Sequence, residues 1–150
     1  MSEPRTRRPR RVYGVGSDPD PRCRSRVAGM PELISEPTRI PVPGGKVIDE
    51  YVGRVNTDES AVSVAHMTAP PGWDEPAQTP EFDEVTLVLS GSVRVEHGDG
   101  EVLEVGAGQA VVTRAGERVR YLAGDAGAQY VAVCLPAFSP DLARRDDEST

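Results

Sequence analysis

The chain has 150 residues, 37% hydrophobic and 27% charged, which suits one globular domain with its own core. No apolar run nears the ~18 residues of a membrane span, and no apolar segment follows the arginine-rich start to make a secretory signal, so the reading is cytoplasmic without a membrane partner. The chain carries −7 and residues 1–29 carry +5, so residues 30–150 carry −12, a body ill suited to a nucleic-acid partner. Residues 1–29, with "RTRRPRR" near the start, lack apolar periodicity and are rich in Arg, Pro, Gly, Ser and Asp, which predicts a disordered basic tail. Patterned sequence begins at Met30, giving one domain over 30–140 and a charged tail over 141–150.

From Thr38 onward, short β-runs alternate with turn residues. "TRIPVP" stops at "GG" and "KVIDEYV" follows; "SAVSVAHMTA" runs into "PPG". "EVTLVLS" meets "SVRVEH" across Gly91, and "GDG" turns the chain into "EVLEV". "GAG" then leads to "QAVVTR", "AGE" to "RVRYLA" and "GDAG" to "QYVAVCL". The spacing predicts roughly eight or nine strands in an all-β sandwich or barrel. One helical turn is expected in "SPDLARRDDEST", capped by Ser139 or Asp141. Cys23 in the tail and Cys134 in an apolar strand make no disulfide framework, and Cys134 reads as a small core residue.

The stretch "GWDEPAQTPEFDEVTLVLSG", residues 72–91, has the spacing Gly-x5-His-x-His-x3-Glu-x6-Gly with both histidines replaced. Gly72, Glu84 and Gly91 keep their places, while Gln78 and Pro80 stand at the histidine positions. "GQAVVTRAGERVRYLA" likewise keeps Gly108 and Gly116 of Gly-x5-Pro-x-Gly-x2-His-x3-Asn, with Arg114, Val119 and Ala123 at the other positions. Over about residues 45–138 the chain therefore resembles the cupin superfamily, whose fold is a double-stranded β-helix (jelly-roll) barrel. The end "YVAVCLPAFSP" is similar to that of ectoine-synthase cupins, and ethanolamine-utilisation-type cupins are a more distant likeness. The resemblance implies a metal site of three histidines and the glutamate, of which only Glu84 remains here. Borderline metals want several nitrogen or sulfur donors, so no metal and no other cofactor is expected.

Alternation along the strands assigns faces. If Glu84 points inward, Thr86 and Val88 do so too, while Val85, Leu87 and Leu89 face outward and suggest a homodimer. By the same logic Val119 and Tyr121 point in, Arg118 and Arg120 point out, and Gln78 takes the inward direction of the histidine it replaces. Glu84, Tyr121 and His66 are the candidate acid/base residues; Gln78, Trp73, Thr86, Val88 and Val119 are the candidate substrate wall. Each has a plainer reading. Glu84 could be a relic at the mouth, Tyr121 a core aromatic, and Trp73 a packed loop anchor rather than a lid or stacking platform. His66 could join Val62 and Val64 on the inner face, but "AVSVAHMT" is apolar on both faces, so a core or rim histidine is as good a reading. Asp74, Glu75, Glu81 and Asp83 read as charge around the mouth.

Together these expectations describe a metal-independent cupin that takes a small organic molecule into the barrel. Acid/base isomerase, cyclase or lyase chemistry, of the kind natural-product biosynthesis uses, is one expectation. A non-catalytic binding or sensor domain is the other.

Overall fold

The computed structural model describes residues 29–146; the basic tail expected over 1–29 lies outside them except for Gly29. The strands belong to a compact unit that starts at Leu33. They are β1 (Thr38–Ile40), β2 (Val47–Val52), β3 (Ser63–Ala69), β4 (Asp83–His97), β5 (Glu101–Gly106), β6 (Ala110–Thr113) and β7 (Val119–Leu135), followed by the single turn α1 (Pro140–Ala143). Every pairing is antiparallel, in the order β1-β2-β3-β7-β4-β5, with β6 added to β4. Among the described residues no helix is long and apolar enough to cross a membrane.

There are fewer strands than the turn signals predict, because two expected turns are bends. "EVTLVLS" and "SVRVEH" run together as β4, and "RVRYLA" and "QYVAVCL" as β7. The β4–β7 register slips between Val88 and Ser90 and again between Gly91 and Val93. A strand residue inserted or skipped flips every later side chain to the other face. Thus Glu84, Thr86 and Val88 are buried before the bend and Val93 and Val95 after it, while β7 switches from Val119, Tyr121 and Ala123 to Ala128, Tyr130, Ala132 and Cys134. Both halves of each long strand thereby feed one interior.

Glycine is required where these bends meet. Gly91 sits at φ 69°, and a Cβ there would lie 2.0 Å from the Gly127 carbonyl oxygen. Gly127, at φ 74°, would bring a Cβ to 2.7 Å from the Ala69 carbonyl oxygen. A side chain at either position would have to displace backbone.

The inner faces build a core in which Val88, Val93, Val95, Val119 and Tyr130 join Trp73 and Tyr121. A smaller cluster of Phe82, Cys134 and Ala143 lies beside Phe138, whose ring meets Phe82 edge-on at 5.9 Å. Ser139, not Asp141, caps α1, its hydroxyl accepting from the Leu142 amide at 3.3 Å. Residues 142–146 are paired to the 77–81 segment: the amides of Thr79, Glu81 and Asp146 donate to the carbonyls of Arg144, Leu142 and Ala77, while 147–150 lie outside the described residues.

Candidate functional site

Three parts of the chain converge on one cavity of about 50 Å³. The inner faces of β2 and β3 supply Ile48, Glu50, Ser63, Ala65 and Met67; β4 and β7 supply Glu84, Tyr121, Tyr130, Ala132 and Cys134. Lys46, Glu75, Gln78 and Arg145 come from connecting segments and close the mouth. A water needs roughly 10–15 Å³ by this measure, so the space suits a ligand of a few heavy atoms.

Glu84 is 9% exposed and stands across the ladder from Thr113 and Cys134. Thr86, wholly buried two residues on, donates its hydroxyl to Glu84 Oε1 at 3.2 Å. Burial raises the Glu84 pKa from its ordinary 4.5 to about 7; the Glu75 carboxylate adds to this, while Lys46 and the hydrogen bonds from Thr86 and Cys134 oppose it. The carboxyl can therefore give or take a proton near neutral pH. Tyr121 shares a 2.9 Å hydrogen bond between its hydroxyl and Thr113 Oγ1, and burial, then Glu84, pushes its ionisation far up, so it acts only as a neutral hydroxyl. Tyr130 and Cys134 are pushed up for the same first reason, burial.

The same cavity is lined by a charged group that no sequence pattern joins. The Lys46 side chain is 7% exposed, with Nζ 3.7 Å from Glu75 Oε2 and 4.1 Å from the centre of the Trp73 ring. Tyr130 offers a second ring at 5.6 Å. Arg145 Nη2 reaches the same Glu75 oxygen at 3.7 Å. Burial lowers the Lys46 pKa, against the pull of Glu75 and Glu84, with Arg145 lowering it further.

The residues expected to form the site separate into three groups. Glu84, Tyr121 and Gln78 line the cavity, Gln78 held by backbone bonds in both directions with Val119 at 2.8 and 2.9 Å. Trp73 is a buried platform for Lys46 rather than an open lid, and Thr86 acts on the cavity through Glu84. Val88 and Val119 point inward as expected but belong to the packed core, outside the cavity wall. His66 is corrected: the inner face of β3 carries Ser63, Ala65, Met67 and Ala69, so His66 lies on the other face, opposite Asp49. Asp49 is itself held below the usual carboxylate range by the Arg39 guanidinium, bonded at 2.9 Å.

Lys46, Glu75, Tyr130 and Arg145 line the cavity without any sequence pattern that marks them, and Cys134, expected as a core residue, lines it too. Cys134 is the ladder partner of Glu84, but it lies past the bend in β7 where the alternation changes phase. Glu75, expected among the charges around the mouth, instead has a largely covered side chain that bears on the cavity. Glu50, also at the cavity, accepts the amides of Val55 and Asn56 at 2.9 and 3.0 Å and ties down the loop after β2.

The donor set does not fit the metal ion that the cupin resemblance implies. Gln78, Pro80 and Val119 occupy the histidine positions, and two basic side chains, Lys46 and Arg145, stand at the mouth. Among the described residues no three His, Cys, Asp or Glu side chains are grouped to hold a metal ion.

An antiparallel barrel built on two long bent strands, with polar groups gathered in one cavity, defines a jelly-roll domain. Residues 65–134 match the family model described as "Cupin domain", which places this stretch in the cupin superfamily. It is similar to the Myxococcus xanthus (strain DK1622) protein named "Endoribonuclease YbeY", 45% identical over 108 residues. That match covers 71% of this chain and 36% of the relative, so the chain spans about a third of that protein's length. Among solved structures, a variant of Bacillus subtilis oxalate decarboxylase superposes with a TM-score of 0.64 at 21% identity, covering 75% of this chain and 31% of that one. A putative ethanolamine utilization protein Q from Salmonella typhimurium LT2 gives 0.52 at 23% identity, covering 64% and 73%. These two likenesses show the fold.

Proposed function

We propose that this cupin works without a metal ion, binds a small organic molecule in the cavity beside Glu84, and transfers a proton within it. Isomerisation, cyclisation and elimination are the reactions that need no more than this. The observation that carries the reading is the buried Glu84 carboxyl with its pKa near neutrality. Tyr121 and Gln78 are placed in the same wall to orient a carbonyl or hydroxyl. The test screens small acids, amines and carbonyl compounds for a raised melting point, then follows each binder by NMR for turnover. Glu84→Gln keeps the shape of the side chain and removes its titration. It should leave binding near normal and slow turnover by about 10²-fold or more. Unchanged turnover in this variant would remove Glu84 from the mechanism.

A second reading is a sensor that binds the same molecule without converting it. It is favoured by the match of this domain to about a third of a longer protein, the arrangement expected of a ligand-reading module. A ligand that raises the melting point and is recovered unchanged supports this alternative. The endoribonuclease activity in that relative's name is not placed in this domain, because the cavity is too small for a nucleotide and the body is acidic.

The outward face is proposed as a homodimer surface. Leu87 and Leu89 are 42% and 50% exposed, and Val112, 48% exposed, lies on the neighbouring strand.

A further inference from the structure

Seventeen residues of the chain are Lys or Arg, and Lys46 alone is a lysine. The arginines of the described ion pairs keep 35% to 68% of their side chains exposed, whereas Lys46 keeps 7%. An ion pair with Glu75 and a cation stacked on Trp73 are tasks an arginine performs at least as well. What an arginine cannot do is lose its proton and become a nucleophile. The single residue of that kind in the chain's basic set is in the cavity with Glu84.

We propose that Lys46 is a catalytic amine that forms an imine with a small aldehyde or ketone admitted to the cavity. The inference rests on the cavity being the working site argued above, and it names the substrate class. Lys46 and Glu84 line the same cavity, and as the carbonyl enters, Lys46 gives a proton to the Glu84 carboxylate and becomes a neutral amine. Nζ attacks the carbonyl carbon, a C–N bond forms, and the C=O π pair moves to oxygen, which takes the proton from Glu84. The adduct nitrogen then returns a proton to Glu84, and Glu84 passes it to the hydroxyl. The C–O bond breaks, water leaves, and the nitrogen lone pair closes a protonated C=N. One ammonium and one carbonyl have become one iminium and one water, with no oxidant or reductant. The opposed displacements of the two groups, Lys46 downward and Glu84 upward, ease the first exchange. The iminium is an electron sink, which suits the proton-moving reactions proposed for this site.

The test uses the full-length protein with acetaldehyde or pyruvate and sodium cyanoborohydride at neutral pH, read by intact mass and peptide mapping. The chain's own amines are Lys46 Nζ and the terminal amine, so the second serves as an internal standard. Lys46 should be alkylated about tenfold or more faster than the terminal amine in folded protein, and this preference should vanish in denaturant. Glu84→Gln should slow alkylation of Lys46 and leave the terminal amine unaffected. Labelling confined to the terminal amine, or equal rates folded and unfolded, would overturn the proposal. So would full turnover of a true substrate by Lys46→Arg. If Lys46 stays unlabelled while Glu84→Gln abolishes turnover, the imine is removed and the proton-transfer reading stands.

Discussion

Replacing Glu84 by Gln should change stability in a way that depends on pH. In the folded barrel the carboxyl titrates at about 7 against an ordinary 4.5. Between these values the unfolded chain has already released its proton while the native state still holds it. The native state therefore binds more protons, and stability falls as pH rises through the window. A displacement of about 2.5 pKa units corresponds to about 3 kcal/mol, fully present below the unfolded value and lost above the folded one. Glutamine has the same shape and no titration, so the variant lacks this loss. About 2.5 kcal/mol of this falls between pH 5 and pH 8, so its melting point relative to wild type should be higher at pH 8 than at pH 5 by roughly 5–10 °C, using about 2–4 °C per kcal/mol for a chain of this size. Thermal unfolding of both proteins at the two pH values is sufficient, because the other titrating groups are shared and cancel in the difference. An equal gap at pH 5 and pH 8 would show that Glu84 does not titrate in this range.

Gly91→Ala should destabilise the barrel by about 3 kcal/mol or more, since both its positive φ and the Gly127 carbonyl oppose a Cβ. Urea denaturation measures the loss, and a change below about 1 kcal/mol would mean that the backbone crossing yields easily. Leu87→Glu should convert the proposed homodimer to monomers in sedimentation without lowering the stability of the fold by more than about 1 kcal/mol, because Leu87 faces outward. A dimer that survives the change places the interface elsewhere.

Alternation made much of the barrel interior readable from sequence, because in β4 and β7 each buried side chain is separated by one that faces away. Glu84, Thr86, Val88, Val119 and Tyr121 were assigned to the inside on that basis and are buried. The same rule could not orient β3, whose run is apolar on both faces, and His66 went to the wrong one. Nor could it carry through β7, where the bend at Gly127 changes phase and brings Tyr130 inward. The remaining site residues join through space alone. Lys46 precedes β2, Glu75 lies between β3 and β4, and Arg145 follows α1, so no spacing in the chain announces that they share an oxygen. The glycine frame marks the fold because Gly72, Gly91, Gly108 and Gly116 all sit at positive φ, and Gly91 also at a close backbone crossing. Side chains at the mouth meet no such demand.

The pairing of residues 142–146 with the 77–81 segment ties access to the cavity to the mechanics of the chain's end. Three backbone hydrogen bonds, at 3.1, 2.8 and 2.8 Å, join this flap to the segment, and the Arg144–Glu81 and Arg118–Asp146 pairs and the buried Ala143 add to them. A segment at the edge of the fold opens at a lower free energy than global unfolding. Opening it carries Arg145 away from Glu75 and exposes Gln78 from the solvent side. Amide exchange at Thr79, Glu81 and Asp146 should thus run ahead of the barrel strands and set the rate at which molecules pass in and out. Whatever is joined after Asp146 pulls on that flap. A load there would loosen the doorway and leave the walls standing.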